Sequence, residues 1–164
     1  MSELEDSPRV GVRFILHPVH FLSFGLGSGL SPKAPGTCGT AIAVLLFLPL
    51  QALSALEYVA VLAVAFLLGV WICGYSTRAL GVHDHGGIVW DEFVGYWITM
   101  FMAPSGWLWM LIGFAFFRLF DIWKPWPIGW VDSQVSGGLG IMLDDVLAGV
   151  WACLCLQLMA ALIA

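Results

Sequence analysis

From Ala55 to about Arg78 the chain runs apolar for long enough to cross a bilayer, and Asp144 to Ala164 forms a second such run of about twenty residues. The rest of the sequence gives these runs little water to meet. Of 164 residues, 60% are hydrophobic and only 10% charged, with a mean hydropathy of +0.93. Six Lys/Arg and eleven Asp/Glu cannot coat a body of this size against water. Lipid is therefore the expected solvent, and the expected fold class is an all-α integral membrane protein.

Three shorter apolar segments complete the pattern. Thr37 to about Leu53 carries a late proline, Pro49; Ile88 to Met102 opens with Asp91-Glu92 and breaks at Pro104-Ser105-Gly106; Trp107 to Phe120 is closed by Asp121 and Lys124-Pro125. Glu57 marks a tight turn between the first two segments. The result is a bundle of about five short transmembrane or partly re-entrant helices, with Ile88–Met102 short for a full span. Glycine-rich loops run from Gly25 to Gly36, Gly81 to Gly87 and Pro125 to Gly140. Residues 1–13 read as a polar tail and 14–164 as one membrane-embedded domain. No cleavable signal peptide is expected, because His17, Pro18 and His20 break the apolar patch after the tail. Cys38, Cys73, Cys153 and Cys155 fall in apolar stretches and read as small hydrophobes rather than as a disulfide framework.

If the five helices alternate in direction, the ends at Thr37, Arg78, Asp91, Asp121 and Asp144 emerge on one side. That side carries all six cations (Arg9, Arg13, Lys33, Arg78, Arg118, Lys124) and every acidic residue except Glu57. Excess Lys/Arg marks it as cytoplasmic, with the N-terminus inside and Ala164 outside. The nine tryptophans, mostly near segment ends, read as an interfacial belt. One internal echo is visible: Asp91, Gly95 and Trp97 recur in register as Asp145, Gly149 and Trp151. A glycine one turn beyond a carboxylate would let two helices approach closely beside paired acids.

The chemistry lies in the acids. Asp91, Glu92, Asp121, Asp144 and Asp145 come from three helix ends on one face, where carboxylates are costly to desolvate and would repel unless a cation lay among them. Hard oxygen ligands of this kind suit Mg²⁺, Mn²⁺ or Ca²⁺. The bland alternative is that Asp91 and Asp144 merely cap their helices. Gly25 through Ser28, Gly29 and Lys33 to Thr37 runs into a helix N-terminus, a plausible phosphate cradle but not a Walker A loop, since alanine follows the lysine. Arg118 and Asp121 stand one helical turn apart and can pair. His83 and His85, flanking Asp84, could bind a metal or move protons, although a solvated loop explains them as well. Cys73-Gly74-Tyr75-Ser76-Thr77-Arg78 is one residue too short for a cysteine-phosphatase loop, and there is no Asp-x-Asp for an aspartyl-phosphate mechanism.

These motifs, taken in order, resemble the bacterial phosphatidylglycerophosphatase A family over roughly residues 20 to 155. The resemblance rests on Gly27-Ser28-Gly29 through Ser31-Pro32 to Pro35-Gly36-Thr37, then on Ile88-Val89-Trp90-Asp91-Glu92 to Gly95. It continues in Phe117-Arg118 to Asp121, Lys124-Pro125, and Gly140 to Asp144-Asp145 with Ala148-Gly149. It implies Mg²⁺-dependent hydrolysis of phosphatidylglycerol phosphate to phosphatidylglycerol and inorganic phosphate at the cytoplasmic face of the bacterial inner membrane. On that basis Asp91, Glu92, Asp144 and Asp145 are expected to hold the metal, and Asp91, Glu92, Asp121 and Asp145 to serve catalysis. Asp121 would be either a ligand or the base that orients the attacking water, and water is preferred to a carboxylate as nucleophile. Lys33, Thr37, Arg118 and Lys124, with Ser28 and Gly29, would meet the phosphate. The partners are the phospholipid substrate and membrane lipid, with no nucleic acid; a homo-oligomer stays open. Two other classes compete. An ion- or proton-coupled transporter would carry ionisable groups near the midplane, where these helices are apolar, and a non-enzymatic scaffold would not need five convergent carboxylates.

Overall fold

Ser54-Ala55-Leu56-Glu57 has the spacing of a capping box, and it starts one of the two longest helices: the Ser54 side chain accepts from the Glu57 N–H while Glu57 Oε2 accepts from the Ser54 N–H at 2.8 Å. The computed structural model describes residues 10–82 and 85–163, all of it helix and connecting turn with no strand among the described residues. Seven α-helices follow in order: α1 Pro18–Ser23, α2 Pro35–Leu50, α3 Ala55–Leu80, α4 Trp90–Thr99, α5 Trp107–Trp123, α6 Ile128–Gln134 and α7 Gly137–Ile163. His83, Asp84 and Ala164 lie outside the described residues.

The 26 residues of α3 and the 27 of α7 reach about 39 and 40 Å at 1.5 Å per residue, beyond a ~30 Å hydrocarbon layer. Both are apolar enough to cross a membrane. Only 28% and 22% of their most apolar windows are buried. Leu56, Val64, Leu67 and Trp71 on α3 and Leu154, Leu158 and Leu162 on α7 face outward. By contrast α4, with ten residues, is about 15 Å long, half a crossing.

The five apolar segments are thus present as helices, with short α1 before them and α6 between α5 and α7, which the sequence pattern did not single out. One boundary is corrected. The last helix starts at Gly137 rather than Asp144, so Asp144 and Asp145 stand two turns inside α7 and are not N-caps. Gly138 and Gly140 look like loop residues but mark close packing. A Cβ at Gly138 would strike the Val70 carbonyl and the Gly74 backbone, and one at Gly140 the Val135 carbonyl. Gly138→Ala should therefore force α3 and α7 apart and cost about 1–3 kcal/mol, as overpacked sites do. Thermal unfolding in detergent reads this out, with Gly86→Ala, where a Cβ meets nothing within 4 Å, expected to melt like the parent.

The core is built around α4, whose Phe93, Val94, Tyr96 and Trp97 are buried. Its backbone and rings are tied on several sides. Trp90 Nε1 donates to the Ala65 carbonyl on α3 and Trp97 Nε1 to the Ala43 carbonyl on α2, each at 3.0 Å. Tyr58 Oη donates to the Trp97 carbonyl at 2.7 Å, and Tyr96 Oη to that of Met110 on α5 at 3.1 Å. Trp90 and Trp97 are therefore core residues, not members of an interfacial belt; Trp107, Trp123, Trp126 and Trp130 are exposed as a belt requires. The internal echo also acquires a place. A Cβ at Gly149 would strike the Gly95 carbonyl, and one at Gly95 would meet the Asp145 carbonyl at 2.8 Å, so α4 and α7 cross at this glycine pair beside Asp91 and Asp145.

A buried polar link sets where α4 begins. His20 Nδ1 and Ser23 Oγ each lie 2.7 Å from Ser76 Oγ on α3, and the Ser23 carbonyl accepts from the Val89 N–H at 2.9 Å, just before α4. Burial, aided by the nearby His17, lowers the His20 pKa and keeps the ring neutral in this link. The four cysteines form no disulfide, and Cys73 is buried, in keeping with a hydrophobe's role.

Candidate active site

The chain enters α2 through Ala34 in the left-handed region at φ 48°, followed by Pro35, Gly36 and Thr37. No side chain caps this end, and Pro35 has no N–H, so the Gly36 and Thr37 N–H groups are the ones it presents. Gly36 matters for a second reason. A Cβ there would strike Glu92 Oε1 and meet the Arg118 guanidinium at 3.1 Å, so its absence lets this pair close against the helix start.

Glu92, buried in α4, accepts from Arg118 Nη1 on α5 and from Thr40 Oγ1 on α2. The same Arg118 nitrogen lies 2.6 Å from Asp121 Oδ2, one turn further along α5. Three helices are thereby fastened through one carboxylate, Glu92, with the guanidinium on one side and Thr40 on the other. A second fastening lies beyond the end of α5, where Lys124 adopts φ 45° and places Nζ 2.7 Å from Asp144 and 2.9 Å from Asp132 on α6. Burial opposes the lysine's charge, but Asp144 and Asp132 outweigh it and hold its pKa above the usual lysine range.

Asp145 is the least exposed acid among the described residues, at 3%. It interacts electrostatically with Asp121, Asp91, Glu92 and Asp144 together, and this one residue shows that the acids of α4, α5 and α7 converge. Asp145 Oδ2 and Asp144 Oδ1 are buried without a hydrogen-bond partner. Five carboxylates here meet two cations, Arg118 and Lys124, and Lys124 is shared with Asp132, so the formal charge of this partly dehydrated volume is negative. Orphaned hard oxygens and that charge fit a divalent cation such as Mg²⁺. Among the described residues no three acids already stand as a coordination shell. Glu92 and Asp144 each have one oxygen turned onto a cation instead.

The other expected site residues are placed as follows. Thr37 is half-buried in the first turn of α2, and Lys33 is exposed just before it. Ser28 and Gly29 are occupied locally: Ser28 Oγ donates to the Gly25 carbonyl at 2.8 Å, and the Gly29 N–H donates to that of Phe24 at 3.0 Å. Gly29 also lies against the Gly87 carbonyl, leaving no room for a Cβ. Of the residues expected to form the cradle, Gly36 and Thr37 are the ones whose N–H groups stand at the uncapped helix start. His85 orders its own turn, with Nδ1 accepting from the Gly87 N–H at 3.0 Å. Thr40 and Asp132 went unassigned in the sequence; Thr40 would have been found only by knowing that α2 starts at Pro35, which sets it one turn beyond Gly36. A cavity of about 290 Å³ between the ends of α2 and α4 and the start of α3 lies at the opposite pole and has no charged lining.

Comparison with known proteins bears on the same stretch of chain. The family described as Phosphatidylglycerophosphatase A matches residues 21–160. A protein of Escherichia coli (strain K12) named Phosphatidylglycerophosphatase A is 48% identical over 140 residues, 82% of this chain and 78% of that protein. One of the same name from Haemophilus influenzae is 47% identical over 140 residues, 84% of this chain and 86% of that protein. No solved structure matches the chain.

Proposed function

The chain belongs to the phosphatidylglycerophosphatase A family, and we propose that its reaction, hydrolysis of phosphatidylglycerophosphate to phosphatidylglycerol in phospholipid biosynthesis, takes place where α2, α4, α5 and α7 converge. The observation that carries this placement is the gathering of five carboxylates around Arg118 and Lys124, facing an uncapped helix start. Anions gather at such helix starts, and a guanidinium presents paired donors to phosphate oxygens. The phosphate then sits between the Gly36 and Thr37 N–H groups and Arg118, with Lys33 and Lys124 nearby to neutralise it. Glu92, held by Arg118 and Thr40, fixes the guanidinium in place.

Asp91, Asp144 and Asp145 would hold Mg²⁺, which when bound supplies charge neutralisation and a more acidic water. Asp121 is the group for the proton. It orients a water toward phosphorus, takes its proton as the P–O bond to glycerol breaks, and passes that proton to the departing alkoxide oxygen, giving the free alcohol and inorganic phosphate. We read the chain as a multi-pass protein of the bacterial cytoplasmic membrane with this site on the cytoplasmic side, a reading supported by the outward apolar faces of α3 and α7 and by the charge asymmetry.

Purified protein in detergent, given phosphatidylglycerophosphate, should release phosphate with Mg²⁺ and stop when the ion is chelated. Release that is indifferent to chelation would remove the metal from the proposal, and no release at all would remove the placement.

A further inference from the structure

We propose that an apolar groove between α3 and α4 seats one acyl chain of the lipid substrate, an inference that rests on the phosphatase reading above. The groove, of about 420 Å³, is lined on α3 by Ala60, Val61, Val64 and Leu68 and on α4 by Trp90 and Trp97, without a polar group. Bulk lipid touches any apolar surface of a membrane protein, so the reason for a dedicated occupant is position. Trp90, at the head of the groove, is the chain neighbour of Asp91 and Glu92.

The geometry at that head is fixed. Trp90 Nε1 is bound to the Ala65 carbonyl at 3.0 Å, and the indole lies over Gly69, where a Cβ would meet both its edge and Met142. Met142, which meets the indole at Gly69, comes two residues before Asp144, so the head of the groove lies at the level of the carboxylates. From Leu68 to Ala60 the lining descends α3 by about 12 Å, away from the acid-bearing end, where Gly74 packs on Gly138. A lipid whose phosphate is held at the cluster sends its chains away from that end, and this groove, headed by the residue just before Asp91, runs that way. Trp90 and Trp97, both buried and both anchored through Nε1, give it rigid walls. Small residues at 60 and 65 and an exposed Val64 leave its floor open.

The test fills the groove and compares a long-chain phosphatidylglycerophosphate with a short-chain, water-soluble dihexanoyl analogue. Val64→Trp should lower the ratio of kcat/KM for long over short chains by about tenfold, the scale of discrimination an apolar pocket supplies. Leu67→Trp, equally exposed on α3 but outside the groove, should leave the ratio unchanged. Ala60→Leu fills less and should shift the ratio in the same direction by less. An unchanged ratio in both groove variants, with hydrolysis retained, would overturn the proposal and leave the surface to bulk lipid or a second copy of the chain. A shift of equal size in Leu67→Trp would overturn it too. Failure of the unaltered protein to hydrolyse either lipid would instead overturn the phosphatase reading, and the groove with it.

Discussion

Asp145→Asn is expected to lower Mg²⁺-dependent phosphate release by about a hundredfold or more, each tenfold corresponding to roughly 1.4 kcal/mol of barrier. Asn keeps the shape and a weak oxygen ligand but removes the charge that holds a divalent cation. Asp145 is the acid where this loss should be most severe, because it is the most buried of the described acids and interacts with four other carboxylates. Stability should move the opposite way. Neutralising one member of a crowded anionic group relieves repulsion, so the variant without metal should melt slightly higher than the parent. The rise in melting temperature on adding Mg²⁺ should shrink, since ligand-linked stabilisation requires tight binding to the folded state. Both are read in one detergent, by phosphate release and by melting with and without Mg²⁺. Near-normal turnover at low Mg²⁺, together with an undiminished metal-induced shift, would show that the orphaned oxygens of α7 are not the metal's ligands.

Arg118→Met should cost more in folding than any other single change at the site. It leaves Glu92 buried with only Thr40 as partner and strips Asp121 of its pair, and breaking a buried ion pair from one side costs about 3–5 kcal/mol. Arg118→Lys should recover only part of the loss, because one ammonium cannot reproduce a planar fork that reaches Glu92 and Asp121 together. Glu92→Gln added to Arg118→Met removes the stranded charge and should restore most of the stability without restoring turnover. That split separates the pairing of Arg118 with Glu92 across α4 and α5 from its proposed contact with phosphate. Unfolding midpoints and kcat for the single and double variants measure it. If the double variant regained activity along with stability, Arg118 would be a structural residue alone.

Much of this was legible before any coordinates, because charge in an apolar chain has few places to go. The convergence of acids from three segments followed from alternation of helices and from the bareness of the opposite loops, and the contact of Gly95 with Gly149 was foreshadowed by the repeated spacing of acid, glycine and tryptophan. What escaped was local. Glycine signals a turn and a tight helix contact alike, so Gly137 to Gly140 concealed two turns of α7. The local bonds of Ser28 and Gly29, to the carbonyls of Gly25 and Phe24, could not be foreseen from the glycine-rich spacing either. Trp90 and Trp97 were assigned to the interface because tryptophan usually sits there; their ring N–H groups found carbonyls inside the bundle instead. Thr40 could not be recognised without its partner, since a threonine in an apolar helix has no signature until a carboxylate from another segment arrives beside it.

The helices also disagree in length. About 39 and 40 Å for α3 and α7 stand beside about 24 Å for α2, 25 Å for α5 and 15 Å for α4. A bilayer cannot match both sets at once. In the membrane reading, the short side draws the two leaflets together by a few ångströms, while the long helices tilt or protrude to meet the unperturbed thickness. The carboxylates sit where the two sets meet, Asp91, Glu92 and Asp121 on short helices and Asp144 and Asp145 on α7, so a lipid in a dimpled leaflet need not be lifted out of the membrane to bring its phosphate to them. Such a protein would sense the thickness of its host bilayer, working best where thinning is cheapest.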